Sequence, residues 1–139
     1  MLKKSNLFFK KLEKFKKNKA IILENGKSVT YNELLLNSKI ISKNLQNKKK
    51  LIFLLGQNNL ETIIGYISFI NIGYSVALLD FKINEIFLKR LISVYNPSYI
   101  FCEKNKFKKK NLYKSILKYK SYVLLERKKN IKIILNKEL

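Results

Sequence analysis

From Thr62 to Leu79 the chain carries no charged residue, and this one stretch decides between two kinds of fold. Its length is close to the roughly 18–20 apolar residues that a membrane-spanning helix needs. Its composition argues otherwise: Ser68, Asn71 and Ser75 interrupt it, Gly73 breaks it, and Glu61 and Asp80 bracket it. A helix buried on several sides, a turn and a buried strand account for all of these features. The remainder of the chain must then supply the layers that cover them.

The flanking sequence has that form. Ala20 to Leu23 reads as a short strand, and Asn25-Gly26 supplies the positive-φ positions of a hairpin turn that returns through Ser28-Val29-Thr30. Thr30 and Glu33 form a capping box that starts a helix with Tyr31, Leu34, Leu35, Ile41 and Leu45 on one face. Leu51 to Leu55 is a continuous apolar run of strand length, as expected of a strand covered on both faces. Asn58 or Asn59 caps the next helix, which carries Leu60, Ile63, Ile64, Ile67 and Ile70 and is apolar on its other sides through Gly65, Tyr66 and Phe69. This helix is expected to be sandwiched. Tyr74 to Leu79 is a strand, and Asn84 caps a helix with Phe87, Leu88, Leu91, Ile92 and Tyr95 that stops before Pro97. Ser98 to Cys102 is a strand, and Leu112, Tyr113, Ile116 and Leu117 suggest a further helix before a strand at Tyr122 to Leu125. The expected architecture is α/β: a doubly wound, mainly parallel sheet with flanking helices, preceded by a short β-hairpin and a basic N-terminal helix. The divisions are residues 1–18 for that amphipathic helix, 19–125 for the α/β unit, and 126–139 for a basic tail. Lys104 to Asn111 reads as the most exposed connection.

At 139 residues and 47% apolar content, one domain can bury about 68–70% of the surface of its unfolded chain. The net charge is +21, which raises nucleic acid or an anionic membrane as partners. The positive charge is nearly all lysine, with only Arg90 and Arg127 to offer bidentate forks. Abundant Lys, Asn and Ile together are what an AT-rich genome imposes, and the lysines are spread along the chain. A dedicated binding module would instead gather them on one face beside exposed aromatics. The start, Met1 to Lys10, has too short an apolar run for a secretory signal. Cys102 has no partner for an internal disulfide and lies in the apolar run Tyr99-Ile100-Phe101, so it reads as a buried thiol in a reducing, cytoplasmic compartment.

Chemistry is sparse. The chain has no histidine, which removes the serine–histidine pair and most zinc sites. Glu33 is accounted for by the capping box, and Glu61 and Glu85 lie in first helical turns, where a carboxylate favours the helix dipole. Asp80, at the carboxyl end of a parallel strand, stands where α/β ligands often bind, but a loop carboxylate that tethers the next turn is the preferred reading. The glycines Gly26, Gly56, Gly65 and Gly73 are isolated and form no phosphate cradle. No catalytic, cofactor-binding or metal residue is assigned.

Three stretches in sequence carry a resemblance: Thr30-Tyr31-x-Glu33-Leu34, Asn58-x-Leu60-Glu61, and Asn71-x-Gly73 running through the apolar strand to Leu79-Asp80, with Phe81 following. In order and spacing they resemble the N-terminal region of the adenylate-forming (AMP-binding) synthetases and ligases, over roughly residues 20–102. The family motifs are TY-x-EL, N-x-x-E and a buried strand ending in PLD, and here Phe81 stands where proline is usual. The resemblance implies an enzyme that activates a carboxylic acid with ATP and Mg2+, releasing pyrophosphate, then passes it to a thiol such as coenzyme A or a carrier-protein arm. It also implies that the phosphate loop, the adenine and magnesium motif, the ribose-binding aspartate and the catalytic lysine come later than Leu139, with Leu135 to Leu139 approaching the strand before that loop. The expectation is therefore a truncated product, a fragment or a split half of such a ligase, inactive alone and binding no cofactor by itself, with an apolar patch where the remainder would pack. The other readings are a stand-alone lysine-rich module for RNA, DNA or anionic lipid, and an interaction subunit completing a separately encoded ligase half.

Overall fold

The computed structural model describes residues 11–107 and 111–129. Most of the expected first helix and the stretch Leu135–Leu139 lie outside these residues. What is described of the lead-in is helical at Lys11 and Leu12 and continues as a 3-10 turn at Glu13–Phe15 that buries nothing, with Phe15 exposed. The backbone is tied at Asn32, whose N–H donates to the Lys16 carbonyl at 3.1 Å.

Strands β1 (Lys19–Ile22) and β2 (Ser28–Thr30) pair antiparallel as a separate two-stranded sheet. Their turn differs from the expected one. Among the turn residues only Gly26 has positive φ, at 79°. Gly26 N–H donates to Leu23 O at 2.9 Å and Leu23 N–H to Lys27 O at 2.8 Å. This is a three-residue loop closed by a left-handed glycine, in which Asn25 serves through its side chain, accepting from Lys27 N–H at 3.0 Å.

Helix α1 (Tyr31–Ser42) begins at the expected capping box. Thr30 Oγ1 accepts from Glu33 N–H at 3.2 Å, and the Glu33 carboxylate accepts from Thr30 N–H at 2.7 Å and its hydroxyl at 3.0 Å. Strand β3 (Leu51–Gly56), helix α2 (Leu60–Asn71), strand β4 (Ser75–Asp80), helix α3 (Glu85–Tyr95) and strand β5 (Tyr99–Glu103) follow. The uncharged stretch thus resolves into helix, turn and strand, and no helix of the described residues is long and apolar enough to cross a membrane. Asn59 caps α2, its Oδ1 accepting from Thr62 N–H at 3.0 Å, and Asn84 caps α3.

The main sheet has the order β4-β3-β5-β7-β6, where β6 is Tyr113–Tyr119 and β7 is Tyr122–Arg127. β3 runs parallel to β4 and β5. β7 is antiparallel to β5, and β6 is antiparallel to β7. The sheet is therefore mixed within the expected α/β class, and the helix expected at Leu112 to Leu117 is a strand. Apolar residues there sit at spacings that fit either period. What decides is the two-residue turn Lys120-Ser121, with Lys120 at φ 50°, which folds the segment straight back onto β7. A bulge between Ser115 and Leu117 absorbs the mismatch in alternation. Tyrosines pin both ends: Tyr113 OH donates to Pro97 O at 2.8 Å and Tyr119 OH to Asn37 Oδ1 at 2.7 Å.

Alternation along the strands divides the core into two layers. Ile52, Leu54, Tyr99, Phe101, Tyr122 and Leu124 face α1 and α2. Phe53, Leu55, Ile100, Cys102, Val123 and Leu125 face α3. The connection after β5 is anchored, not merely exposed, because Phe107 is buried edge-on against Tyr113 at 5.9 Å. α3 rests on Leu88 and Ile92, while Phe87 and Tyr95, expected on the same core face, are exposed. β4 is an edge strand with Leu78 exposed, not a buried strand.

α2 lies close to the sheet at Gly65, where a Cβ would come within 2.6 Å of Phe101 Cε1. Phe69 and Phe101 then meet edge-on at 5.5 Å, and Phe101 meets Tyr122 at 5.0 Å. Gly65→Ala is expected to cost about 1–3 kcal/mol by overpacking this contact, read as a lower urea midpoint with unchanged slope.

The hydrogen bonds from Thr30, the backbone one foremost, hold the Glu33 carboxyl below its ordinary 4.5. A carboxyl depressed on folding contributes stability that is complete above its unfolded value and lost as pH falls through the folded one. Glu33→Ala should therefore be less stable than the parent at pH 7, with the gap narrowing at pH 3 in parallel urea titrations.

Candidate functional site

In an open α/β sheet, ligands bind beyond the carboxyl ends of the parallel strands where the strand order reverses. Here those ends are Gly56, Asp80 and Glu103, and the reversal is at β3, with β4 on one side and β5 on the other. The polar groups at this rim are engaged with one another. Thr62 Oγ1 accepts from Gln57 N–H at 3.0 Å and lies 3.2 Å from Tyr122 OH. Asn59 Nδ2 donates to the same phenol at 3.4 Å. The Asp80 carboxylate accepts from Lys82 N–H at 2.9 Å, and Phe81 N–H donates to Gly56 O at 3.0 Å. Asp80 thus tethers its own turn. Sequence reasoning did not find the Tyr122–Thr62 junction, because its members lie 60 positions apart and neither carries a motif.

Beside this rim an open groove of about 510 Å³ runs between the hairpin, from Ile21 to Asn25, and the start of α2 at Asn58–Glu61 and Ile63. Its walls are apolar, amide and carboxylate, with Glu24 and Glu61 present and no lysine or arginine. Glu61 also accepts from Ser121 Oγ at 3.2 Å. Such a lining repels a polyphosphate. Among the described residues no group of three or more His, Cys, Asp or Glu could hold a metal ion. The residues present do not fit ATP with Mg2+, and no chemical step is assigned to them.

The other residues singled out by sequence remain apart. Glu85 pairs with Lys89 at 3.0 Å on α3, and Arg90 is exposed on the same helix. Cys102 is fully buried on β5, where loss of solvent pushes its thiol up to about 12, far from a reactive thiolate. Burial likewise raises the Tyr113 phenol to about 12 and the Tyr74 phenol further still. Both tyrosines belong to the core.

Exposed lysines are spread over several elements: Lys27 on the hairpin, Lys39 on α1, Lys82 after β4, Lys89 on α3, Lys114 and Lys118 on β6. Among the described residues most aromatics are inside, including Tyr74, Tyr99, Tyr113, Tyr119, Tyr122, Phe53, Phe69, Phe101 and Phe107, while Phe15, Tyr66, Phe87 and Tyr95 are exposed.

No protein-family model matches the chain, and no curated protein matches it. Solved structures do. The luciferase-like enzyme from the nonluminescent Zophobas morio mealworm is 22% identical, with a TM-score of 0.61 over 73% of this chain and 25% of that one. Klebsiella oxytoca NpsA, solved in complex with 3-hydroxyanthranilyl-AMSN, is 18% identical, with a TM-score of 0.60 over 72% and 21%. The red emitting luciferase from Phrixothrix hirtus is 15% identical, with a TM-score of 0.61 over 73% and 26%. At these identities the likeness is one of fold. The chain spans about a quarter of the length of the proteins it matches, and the fold it shares with them is that of a segment of luciferases and of NpsA.

Proposed function

We propose that this chain is the N-terminal portion of an AMP-forming acid ligase and works only when joined to, or assembled with, a polypeptide that carries the ATP-binding elements. The observation that carries the reading is the agreement between motif and structure along one fold. Thr30 to Glu33 caps α1, the Asn58-Asn59 pair opens α2, Gly73 follows its end, and Asp80 closes β4. These are the stretches on which the resemblance to adenylate-forming enzymes rests, and they mark element boundaries in a fold shared with luciferases and NpsA. The part played by this chain is architectural. The remainder would supply the groups that neutralise triphosphate and hold Mg2+, together with any site for coenzyme A or a carrier protein.

The dispersed lysines and buried tyrosines favour this reading over a dedicated nucleic-acid or lipid module, which needs its cations and stacking rings on one face. The test is acid-dependent ATP–pyrophosphate exchange across a panel of carboxylic acids. The chain alone should give none. Exchange should appear when it is produced together with the polypeptide encoded beyond the Leu139 codon, in the same or a following frame. If that pair binds ATP yet exchanges no pyrophosphate with any acid, or no such polypeptide is encoded, the reading fails.

A further inference from the structure

Lysines are spread over the elements of this molecule, but carboxylates are not, and the difference polarises its charge. On the main sheet and its crossover helices, Glu61 and Glu85 lie in the first turns of α2 and α3, while Asp80 and Glu103 end β4 and β5. All of these stand toward the carboxyl ends of the parallel strands, where helix N-termini favour negative charge. At the opposite end these elements place only Glu126, which is paired with Lys114 at 3.3 Å. Cations gather there without further carboxylates. Lys48, Lys49 and Lys50 lead into β3, and Arg127 ends β7 and is followed by Lys128 and Lys129.

Backbone hydrogen bonds lay these segments along one rim. Ser75 N–H donates to Lys50 O at 2.9 Å, Ser98 N–H to Leu51 O at 2.9 Å, Arg127 N–H to Ser98 O at 2.9 Å and Lys128 N–H to Leu112 O at 2.8 Å. With neighbouring strands about 4.8 Å apart, the row from β3 to β6 spans roughly 15 Å. Lys48, Lys49, Lys114, Lys128 and Lys129 are exposed on it. Beside them, Tyr95 in the last turn of α3 and Leu112 before β6 are 60% and 40% exposed. The hydrogen bond from Tyr113 OH to Pro97 O holds those two segments together.

We propose that this rim is a surface for an anionic lipid bilayer, on which the lysines meet acidic headgroups while Tyr95 and Leu112 enter the interfacial layer. The proposal goes beyond the function given above and does not depend on it. It makes the chain no dedicated lipid module, since lysines stand elsewhere as well and the rim is set apart by the carboxylates it lacks. Nucleic acid is the poorer fit. One arginine, Arg127, and one exposed ring, Tyr95, fall short of the forks and stacking platform that a single strand uses. A bilayer asks for neither, because ammonium groups act on headgroups as point charges and lysine stems lie along apolar surface.

The test sediments the full chain with vesicles of equal parts phosphatidylcholine and phosphatidylserine at physiological salt. Lys49→Gln, Lys128→Gln and Lys129→Gln together should lower the partition coefficient on the order of a hundredfold, at about fivefold per lysine. Lys27→Gln, Lys82→Gln and Lys118→Gln together remove the same charge away from the rim and should change it less than about threefold. A second readout locates the face. Because Cys102 is buried, Leu112→Cys adds one accessible thiol, and a polarity-sensitive fluorophore on it should shift to the blue on these vesicles. The same label at Ile22→Cys, on the hairpin, should not shift. Equal losses in the two triple variants, an unshifted Leu112→Cys label, or equal binding to pure phosphatidylcholine overturns the proposal. A chain that ignores the vesicles overturns it too, and if the rim variant alone then weakens binding to polyuridine, the rim belongs to nucleic acid.

Discussion

The close approach of α2 to the sheet at Gly65 governs much of this structure. With no side chain there, the Phe101 ring lies where a Cβ would stand. That approach brings Phe69 against Phe101 and leaves Phe101 free to meet Tyr122. Tyr122 belongs to β7, two strands away from β3, and its hydroxyl reaches Thr62 Oγ1 near the start of the same helix. One missing methyl group therefore couples the first crossover of the sheet to the strand that closes it. A helix standing further off would lose these aromatic contacts together, since dispersion falls steeply with separation.

Features set by neighbours in sequence were legible without coordinates. The Thr30–Glu33 box, the Asn84 cap and the stop before Pro97 need only local backbone geometry, and they located both ends of α3 and the start of α1. Strand β3 was legible because Leu51 to Leu55 is apolar without alternation. Features set by distant partners were not. Tyr113 to Tyr119 suits a helical or a strand pattern about equally, and only pairing with β7 chooses between them. The exposure of Phe87 and Tyr95 likewise depends on how far the sheet extends beneath α3, which no local pattern records. The hairpin turn was read from Asn25-Gly26, but Gly26 alone takes the left-handed conformation, because a three-residue loop needs one such position and a two-residue turn can need two.

The carboxylates weighed as candidate site residues share one kind of position. Each carboxylate singled out lies at an element boundary, where unpaired backbone amides attract an acceptor. Glu33 and Asp80 bond the amides of Thr30 and Lys82, and Glu61 and Glu85 lie in first turns. The same boundaries hold the stretches that resemble adenylate-forming enzymes. A resemblance carried by caps and turns reports how a chain folds, and this explains why the candidate site was far less legible than the architecture: the motifs that led to the family are not the groups that would perform its reaction.

The lysine surface acquires a physical role in this setting. β6 is an edge strand, and Lys114 and Lys118 stand along it, as expected of an edge kept from pairing with another chain. β4, the opposite edge, has no lysine between Ser75 and Asp80 and exposes Leu78. On the helices Leu36, Ile40, Ile63 and Tyr66 are exposed as well. A net charge of +21 opposes the collapse of such molecules onto one another, because repulsion between copies acts at any orientation while apolar contact requires the bare faces to meet.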